Sequence, residues 1–176
     1  MEPDQLKKYR QGDHEFFRQI MDELQKPIYY FLYRYVGNAG DAEDLTQETF
    51  VKAYTERDKF RGDSQLSTWI YRIATNLAKN HLRWRSVRNF LTLEALQNAV
   101  IEESTEDFEW GQREHEIMNR LQDLPKTQRS VFILKYFNEL SHQEISDILG
   151  VSLSSSKTNF HYAVKSLKNM ISGVSK

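Results

Sequence analysis

The stretch Ser141-His142-Gln143-Glu144-Ile145-Ser146-Asp147-Ile148-Leu149-Gly150-Val151-Ser152, with the segment that follows it to Ile171, decides the fold of the carboxy-terminal part. Ser141 and Glu144 stand three apart, the spacing of a capping box that satisfies two free amides at a helix start. Gly150 ends that helix, since glycine enters the left-handed conformation without steric cost. Ser152 can cap the next helix. A short capped helix, a glycine turn and a second helix form the helix-turn-helix pattern. In the second helix Phe160, Val164, Leu167 and Ile171 recur at helical spacing and predict the buried face. Lys157, His161, Lys165 and Lys168 line a different side, a basic stripe where such a motif meets the DNA major groove. A helical hairpin with a solvated lysine face fits the same letters. The absence of any acid from Lys157 to Lys176 favours DNA.

Outward from this motif the chain stays helical. Seven glycines and three prolines are few for 176 residues, and period-two alternation is absent. Upstream, Ile117, Leu121 and Leu124 form a short apolar stripe that stops at Pro125, and a helix is predicted over 126–137. Nearer the amino terminus Asp13 caps a helix whose apolar side is Phe16, Phe17, Ile20 and Leu24. Pro27 is expected to bend or interrupt it before it stops at Gly37-Asn38. Further helices are predicted over 41–55 and 65–85, separated by the turn Arg61-Gly62-Asp63-Ser64.

The helix over 65–85 has two characters. Leu66, Trp69, Ile70, Ile73, Leu77 and Trp84 run along one side, and Arg72, Asn76, Lys79 and Arg83 along the other, with Asn80 beside them. Lysine and arginine suit phosphates, and asparagine can read a base edge through its paired donor and acceptor. Trp69 belongs with the apolar stripe, whereas Trp84, between Arg83 and Arg85, suits packing or stacking equally. Residues 91–114 lose the helical regularity and turn acidic. The expected architecture is all-α: two small helical domains, 1–90 and 115–176, joined by an acidic linker over 91–114.

Composition narrows the function. Hydrophobic residues at 39% and charged residues at 28% are enough for packed cores, against a disordered chain. With no cysteine there is no disulfide, thiol nucleophile or cysteine-ligated metal. The longest uncharged run, Ile148 to Ser156, is far too short to span a bilayer. No apolar run follows Met1-Glu2-Pro3-Asp4, so a cytoplasmic protein without membrane insertion is expected.

The net charge of −1 conceals blocks. Trp69 to Phe90 carries five basic residues and no acid; Glu94 to Glu116 carries eight acids against Arg113; Lys157 to Lys176 carries four lysines and no acid. Two basic surfaces for a polyanion, held apart by a segment that avoids it, follow from this sorting. The acidic linker beside two basic domains also favours a compact free chain that salt would loosen.

An enzyme finds little support. The single Glu-x-x-His spacing, Glu139-Leu140-Ser141-His142, straddles a loop, and no zinc-protease helix, phosphate loop or serine triad signature is present. No catalytic residue, metal, cofactor or small-molecule substrate is therefore expected. A free-standing helix-turn-helix regulator is the alternative, but it needs a dimer interface, and no heptad run supplies one.

Asp41-Ala42-Glu43-Asp44-Leu45-Thr46-Gln47-Glu48-Thr49-Phe50, then Phe60-Arg61-Gly62 and Thr68-Trp69-Ile70-Tyr71-Arg72-Ile73-Ala74-Thr75-Asn76, closely resembles domain 2 of bacterial sigma factors of the extracytoplasmic-function group. Leu124-Pro125, Phe132-Ile133-Leu134, Glu144-Ile145 and Ile148-Leu149-Gly150 resemble their domain 4. The resemblance implies a stress-response transcription initiation factor that directs core RNA polymerase to promoters. It implies docking of Asp41, Asp44, Gln47 and Glu48 on the clamp helices of the largest polymerase subunit, with domain 4 on the flap. Capping of the helix N-terminus would by itself explain acids at Asp41, Glu43 and Asp44. It implies that Phe60, Arg61, Arg72, Asn76, Lys79, Asn80, Arg83 and Arg85 engage the opened −10 element. It places Ser155, Lys157, Thr158, Asn159, His161 and Lys165 on the −35 duplex, and it adds an anti-sigma partner. One departure stands out: the recognition helix usually opens with a Gly-Thr-Val-Lys-like run, here Ser154-Ser155-Ser156-Lys157. A serine for that valine is expected to weaken packing of the first turn.

Overall fold

Asn38 turns the chain between two long helices. Its side chain accepts from the Asp41 amide at 2.8 Å, while Gly37, with φ of 75°, closes the preceding helix in a conformation that disfavours any side chain. Local signals of this kind set most boundaries in the computed structural model, which describes residues 3–91 and 112–172. Most of the expected linker lies outside the described residues.

The first bundle contains α1 (Pro3–Gln11), α2 (His14–Val36), α3 (Ala39–Thr55) and α4 (Leu66–Leu91), with a 3₁₀ turn Arg57–Lys59 after α3. Asp13 caps α2 by accepting from the Phe16 amide at 2.9 Å. Pro27 does not interrupt α2, which runs unbroken past it. Tertiary packing holds the helix there: Ile28, Phe31, Leu32 and Tyr35, just beyond the proline, are fully buried. The predicted helices over 41–55 and 65–85 appear as α3 and α4. Helix α1 was not expected. Its Tyr9 is buried, donates to the Ala53 carbonyl at 2.5 Å and packs edge-on against Phe60 and Trp69.

The second bundle contains α5 (Gln112–Leu121), α6 (Lys126–Tyr136), α7 (His142–Leu149) and α8 (Leu153–Ile171). The capping box forms as the spacing predicts, Ser141 and Glu144 bonding reciprocally, and Gly150 closes α7 with φ of 66°. Ser152 caps α8 through the Ser155 amide at 3.0 Å. Phe160, Val164 and Leu167 face the core of this bundle, leaving the stripe of basic residues outside.

The two bundles do not stand apart: their buried side chains form one continuous cluster from Tyr9 to Leu167. α2 packs on α5 and α6, and α4 packs on α7. Asn138 donates to the Tyr71 hydroxyl at 2.8 Å, the Ser130 hydroxyl to that of Tyr35 at 3.3 Å, and Arg34 lies 4.2 Å from the Phe137 ring centroid. Burial pushes the Tyr71 hydroxyl up to about 12, so it stays protonated and neutral. None of the ion pairs among the described residues joins the two bundles. The compact form expected from linker charge is thus present, but the contacts described here are apolar burial and hydrogen bonds to neutral acceptors.

Candidate nucleic-acid and polymerase interfaces

Helix α3 sorts its residues as its periodicity requires. Ala42, Leu45, Thr46, Thr49, Phe50 and Ala53 are buried, and Asp44, Gln47 and Glu48 project to solvent. Glu48 pairs with Lys52 one turn on, at 3.3 Å. Asp41 leaves that exposed set. Its carboxylate lies 3.0 Å from His81 Nε2 and 3.5 Å from Arg85 Nη1, half-buried between α3 and α4. The histidine nitrogen is close but makes no hydrogen bond there. Asp41 therefore braces α4 against α3, and Arg85, expected on DNA, is engaged in the brace.

On α4, Arg72, Asn76, Asn80 and Arg83 are exposed in a row, with Lys79 half-buried among them. Burial lowers the Lys79 ammonium from its usual range, since desolvation penalises the charged form. Trp84 is 62% exposed and stands beside the row as a flat apolar surface, whereas Trp69 is packed on Phe60 with ring centroids 5.5 Å apart. At the Arg72 end of the row lies a cleft of about 360 Å³ walled by Lys59, Phe60, Arg61, Asp63, Ser64, Trp69, Arg72 and Asp147. Arg61 is exposed at its rim. Phe60 is not available as sequence reading expected: it is 2% exposed, held by Tyr9 and Trp69, and its carbonyl accepts from Arg10 at 2.8 and 3.0 Å. It forms the floor, with no free ring to offer a base.

Arg72 and Asp147 come from different bundles. The Arg72 guanidinium forks onto the Asp147 carbonyl, Nη2 at 2.6 Å and Nε at 3.1 Å. Sequence reading missed Asp147, and no pattern pairs residues 75 apart.

On α8, Lys157, Thr158, His161 and Lys165 are exposed along one side. Ser155 and Asn159 are tied to each other, the Asn159 amide donating to the Ser155 carbonyl at 2.8 Å and hydroxyl at 3.1 Å. Ser156, where a valine is usual, is fully buried and shares a 2.9 Å hydrogen bond with His142 Nδ1. His142 also packs edge-on against Phe160. The expected weakness of the first turn is met by a polar contact in place of an apolar one. Partial burial lowers the His142 ring from its usual range, aided by Lys135 and Lys157 nearby.

The Sigma-70 region 2 family matches residues 20–88, and the Sigma-70, region 4 family matches residues 114–167. The ECF RNA polymerase sigma factor SigW of Bacillus subtilis (strain 168) is 32% identical, covering 94% of each chain. The RNA polymerase sigma factor YlaC of the same strain is 35% identical over 92% of each. Among solved structures, the sigma factor RpoE of Bartonella quintana, in complex with the anti-sigma factor NepR, superimposes with a TM-score of 0.76 at 21% identity, covering 91% of this chain and 98% of that one. CnrH, in complex with the cytosolic domain of CnrY, superimposes with a TM-score of 0.74 at 20% identity and covers 97% of both. The match to relatives spans both helical bundles in order, and the chain belongs to the sigma-70 family of RNA polymerase sigma factors, in its extracytoplasmic-function (ECF) group.

Proposed function

We propose that residues 1–90 dock on core RNA polymerase and hold the opened −10 strand, that residues 115–176 read the −35 duplex, and that 91–114 connect them. Membership of the family makes the chain a transcription initiation factor that binds RNA polymerase. The residue roles rest above all on one observation: the row Arg72, Asn76, Lys79 and Arg83 begins, at Arg72, on a cleft with a tryptophan wall. Cations along a groove and an aromatic wall beside it are what an unpaired strand needs. Asp44, Gln47 and Glu48 form the polymerase face on this reading, with Asp41 acting behind them. Lys157, Thr158, His161 and Lys165 supply the contacts to the −35 element, with Ser155 and Asn159 at its edge.

Energetics demand the polymerase. Unstacking about ten base pairs costs roughly 14 kcal/mol at about 1.4 kcal/mol per step. Specific protein–DNA complexes gain only about 4–10 kcal/mol over non-specific ones. The chain therefore catalyses nothing itself and melts DNA only as part of a larger enzyme, in the compartment where that enzyme works. Among the described residues no helix is long and apolar enough to cross a membrane. The likeness to RpoE bound to NepR supports an anti-sigma partner for this chain as well. Family membership sets the free-standing regulator aside.

Gel filtration with bacterial core RNA polymerase tests the docking face. The wild-type chain is expected to co-elute, and the Asp44→Lys, Glu48→Lys double variant to elute free. Co-elution of both would remove the docking role from these residues.

A further inference from the structure

We propose that Arg10 of α1 is a positioning residue for strand capture: with Leu6 it holds the loop after Phe60 in the shape that walls the cleft beside Arg72. The inference rests on the reading of that cleft as the single-strand site.

The loop has little to fix its own shape. Residues 61–64 make no backbone–backbone hydrogen bond among the described residues, and Arg61 and Asp63 are exposed. Yet Arg61, Asp63 and Ser64 form one side of the cleft. The element that grips them is α1, which lies ahead of residue 20, where the match to the Sigma-70 region 2 family begins. The family match therefore assigns α1 nothing.

Tyr9 anchors α1 in the core, its hydroxyl on the Ala53 carbonyl and its ring edge-on to Phe60 and Trp69. The next residue turns to the loop. The Arg10 guanidinium forks onto the Phe60 carbonyl, Nη2 at 2.8 Å and Nε at 3.0 Å. One turn earlier, Leu6 lies against Gly62 so closely that a β-carbon there would stand 2.9 Å from its Cδ2. Residues four apart share a helix face, so one side of α1 meets the loop at both Phe60 and Gly62. At the end of α1, Gly12 seats Arg57 as tightly: a β-carbon at Gly12 would stand 2.9 Å from Arg57 Nε, in the 3₁₀ turn that leads into the loop.

Direction matters here more than charge. A carbonyl oxygen has two lone pairs, and two donors on it fix the plane of the peptide between Phe60 and Arg61. That plane sets the direction in which Arg61 leaves for the rim of the cleft. The two properties can be separated by substitution. Glutamine carries its amide nitrogen as many bonds from Cα as the arginine Nε, so Arg10→Gln keeps a donor at the Phe60 carbonyl and loses the charge. Arg10→Lys keeps the charge and loses the fork. A residue that held a phosphate would rank lysine above glutamine; a positioning residue ranks them the other way.

Two measurements test this. In the full chain, trypsin cutting at the Arg61–Gly62 bond reads the loop, taken relative to the cut after Lys135 in α6 so that general unfolding cancels. In the holoenzyme with core RNA polymerase, selection from a randomised pool of single-stranded DNA reads the site through the bases enriched. Arg10→Ala is expected to speed the Arg61 cut by about five- to tenfold and to flatten base enrichment by a similar factor. Arg10→Gln is expected to restore most of both, and Arg10→Lys less. An unchanged cutting rate in Arg10→Ala, or enrichment restored better by lysine than by glutamine, would overturn the positioning role. A faster cut with enrichment absent or unchanged would also overturn it, by showing that the cleft does not hold the strand, while the grip of α1 on the loop stood.

Discussion

The chain carries two basic helical faces, and they stand in opposite circumstances. On α8, Lys157, His161 and Lys165 are exposed, and the scaffold beneath them belongs wholly to the second bundle. On α4, Arg72 is spent on a carbonyl of α7, Arg85 on Asp41, and Asp147 of the other bundle lines one side of the cleft beside Arg72. One face is open as it stands; on the other, two of the cations are already engaged. The difference teaches that a basic stripe read from periodicity states what a face can hold, and tertiary packing states when.

The largest expected effect comes from removing Arg129 of α6, a buried arginine that reaches the end of α2. Arg129→Ala strips bonds to the carbonyls of Tyr35, Gln122 and Leu124 and to the Gln122 side chain. It should cost about 3 kcal/mol in thermal or urea unfolding. Arg72→Ala, whose bond is exposed, should cost less than about 1 kcal/mol. Equal costs would erase the distinction between an interior arginine that holds the bundles and an exposed one beside a cleft.

A smaller effect bears on α8. Ser156→Val restores the side chain usual at this position and leaves His142 Nδ1 without its partner. A loss of about 1–2 kcal/mol is expected, recovered when His142→Leu is added. Stability unchanged by Ser156→Val alone would show that the serine–histidine bond does not seat the helix.

The loop that presents Asn138 to Tyr71 offers a third test. Glu139 adopts a φ of 55°, in the left-handed region where a side chain is strained. Glu139→Gly should stabilise the chain by about 0.5–1 kcal/mol and leave the bundles closed. Destabilisation would mean that the glutamate side chain contributes something the backbone does not reveal.

The smallest effect is that of pH on α7 and α8. The folded His142 holds its proton less tightly than the unfolded one. The unfolded state therefore binds more protons near and below the usual histidine range, and the stabilising contribution, present above that range, is lost as pH falls through it. Mild acidification should lower the melting temperature of the wild type slightly more than that of the His142→Leu, Ser156→Val variant. An equal response would leave His142 without a titrating role.

Much of this was legible in the sequence because the signals are local. Ser141 with Glu144, Ser152 and Gly150 act over three or four residues, and all three form as their spacing predicts. The inward and outward sides of α3 and α8 follow from period except at their ends, where Asp41 turns inward and Ile171, predicted inside, is exposed. Helix α1 was overlooked although Pro3 and Gly12 bracket it, proline in the first turn and glycine just past the last. The sigma-factor motifs mark α3 as the helix proposed to dock, but not that Asp41 turns inward to His81, 40 positions along the chain. The resemblance to sigma domain 2 assigns Phe60 to DNA, and only the packing of Tyr9, from the unexpected helix, shows it to be buried. The bonds between the bundles lay beyond reach for a similar reason. Tyr35 and Arg129 are 94 residues apart, and no periodicity joins them.

The most direct test of the account follows the distance between the bundles as polymerase binds. The chain has no cysteine, so labels at Lys8→Cys in α1 and Asn169→Cys in α8, both exposed, report energy transfer without background. The account predicts high transfer in the free chain at low and high salt, and a fall to a low, uniform value on adding core RNA polymerase. Transfer that is already low in the free chain, or unchanged on the polymerase, would contradict it.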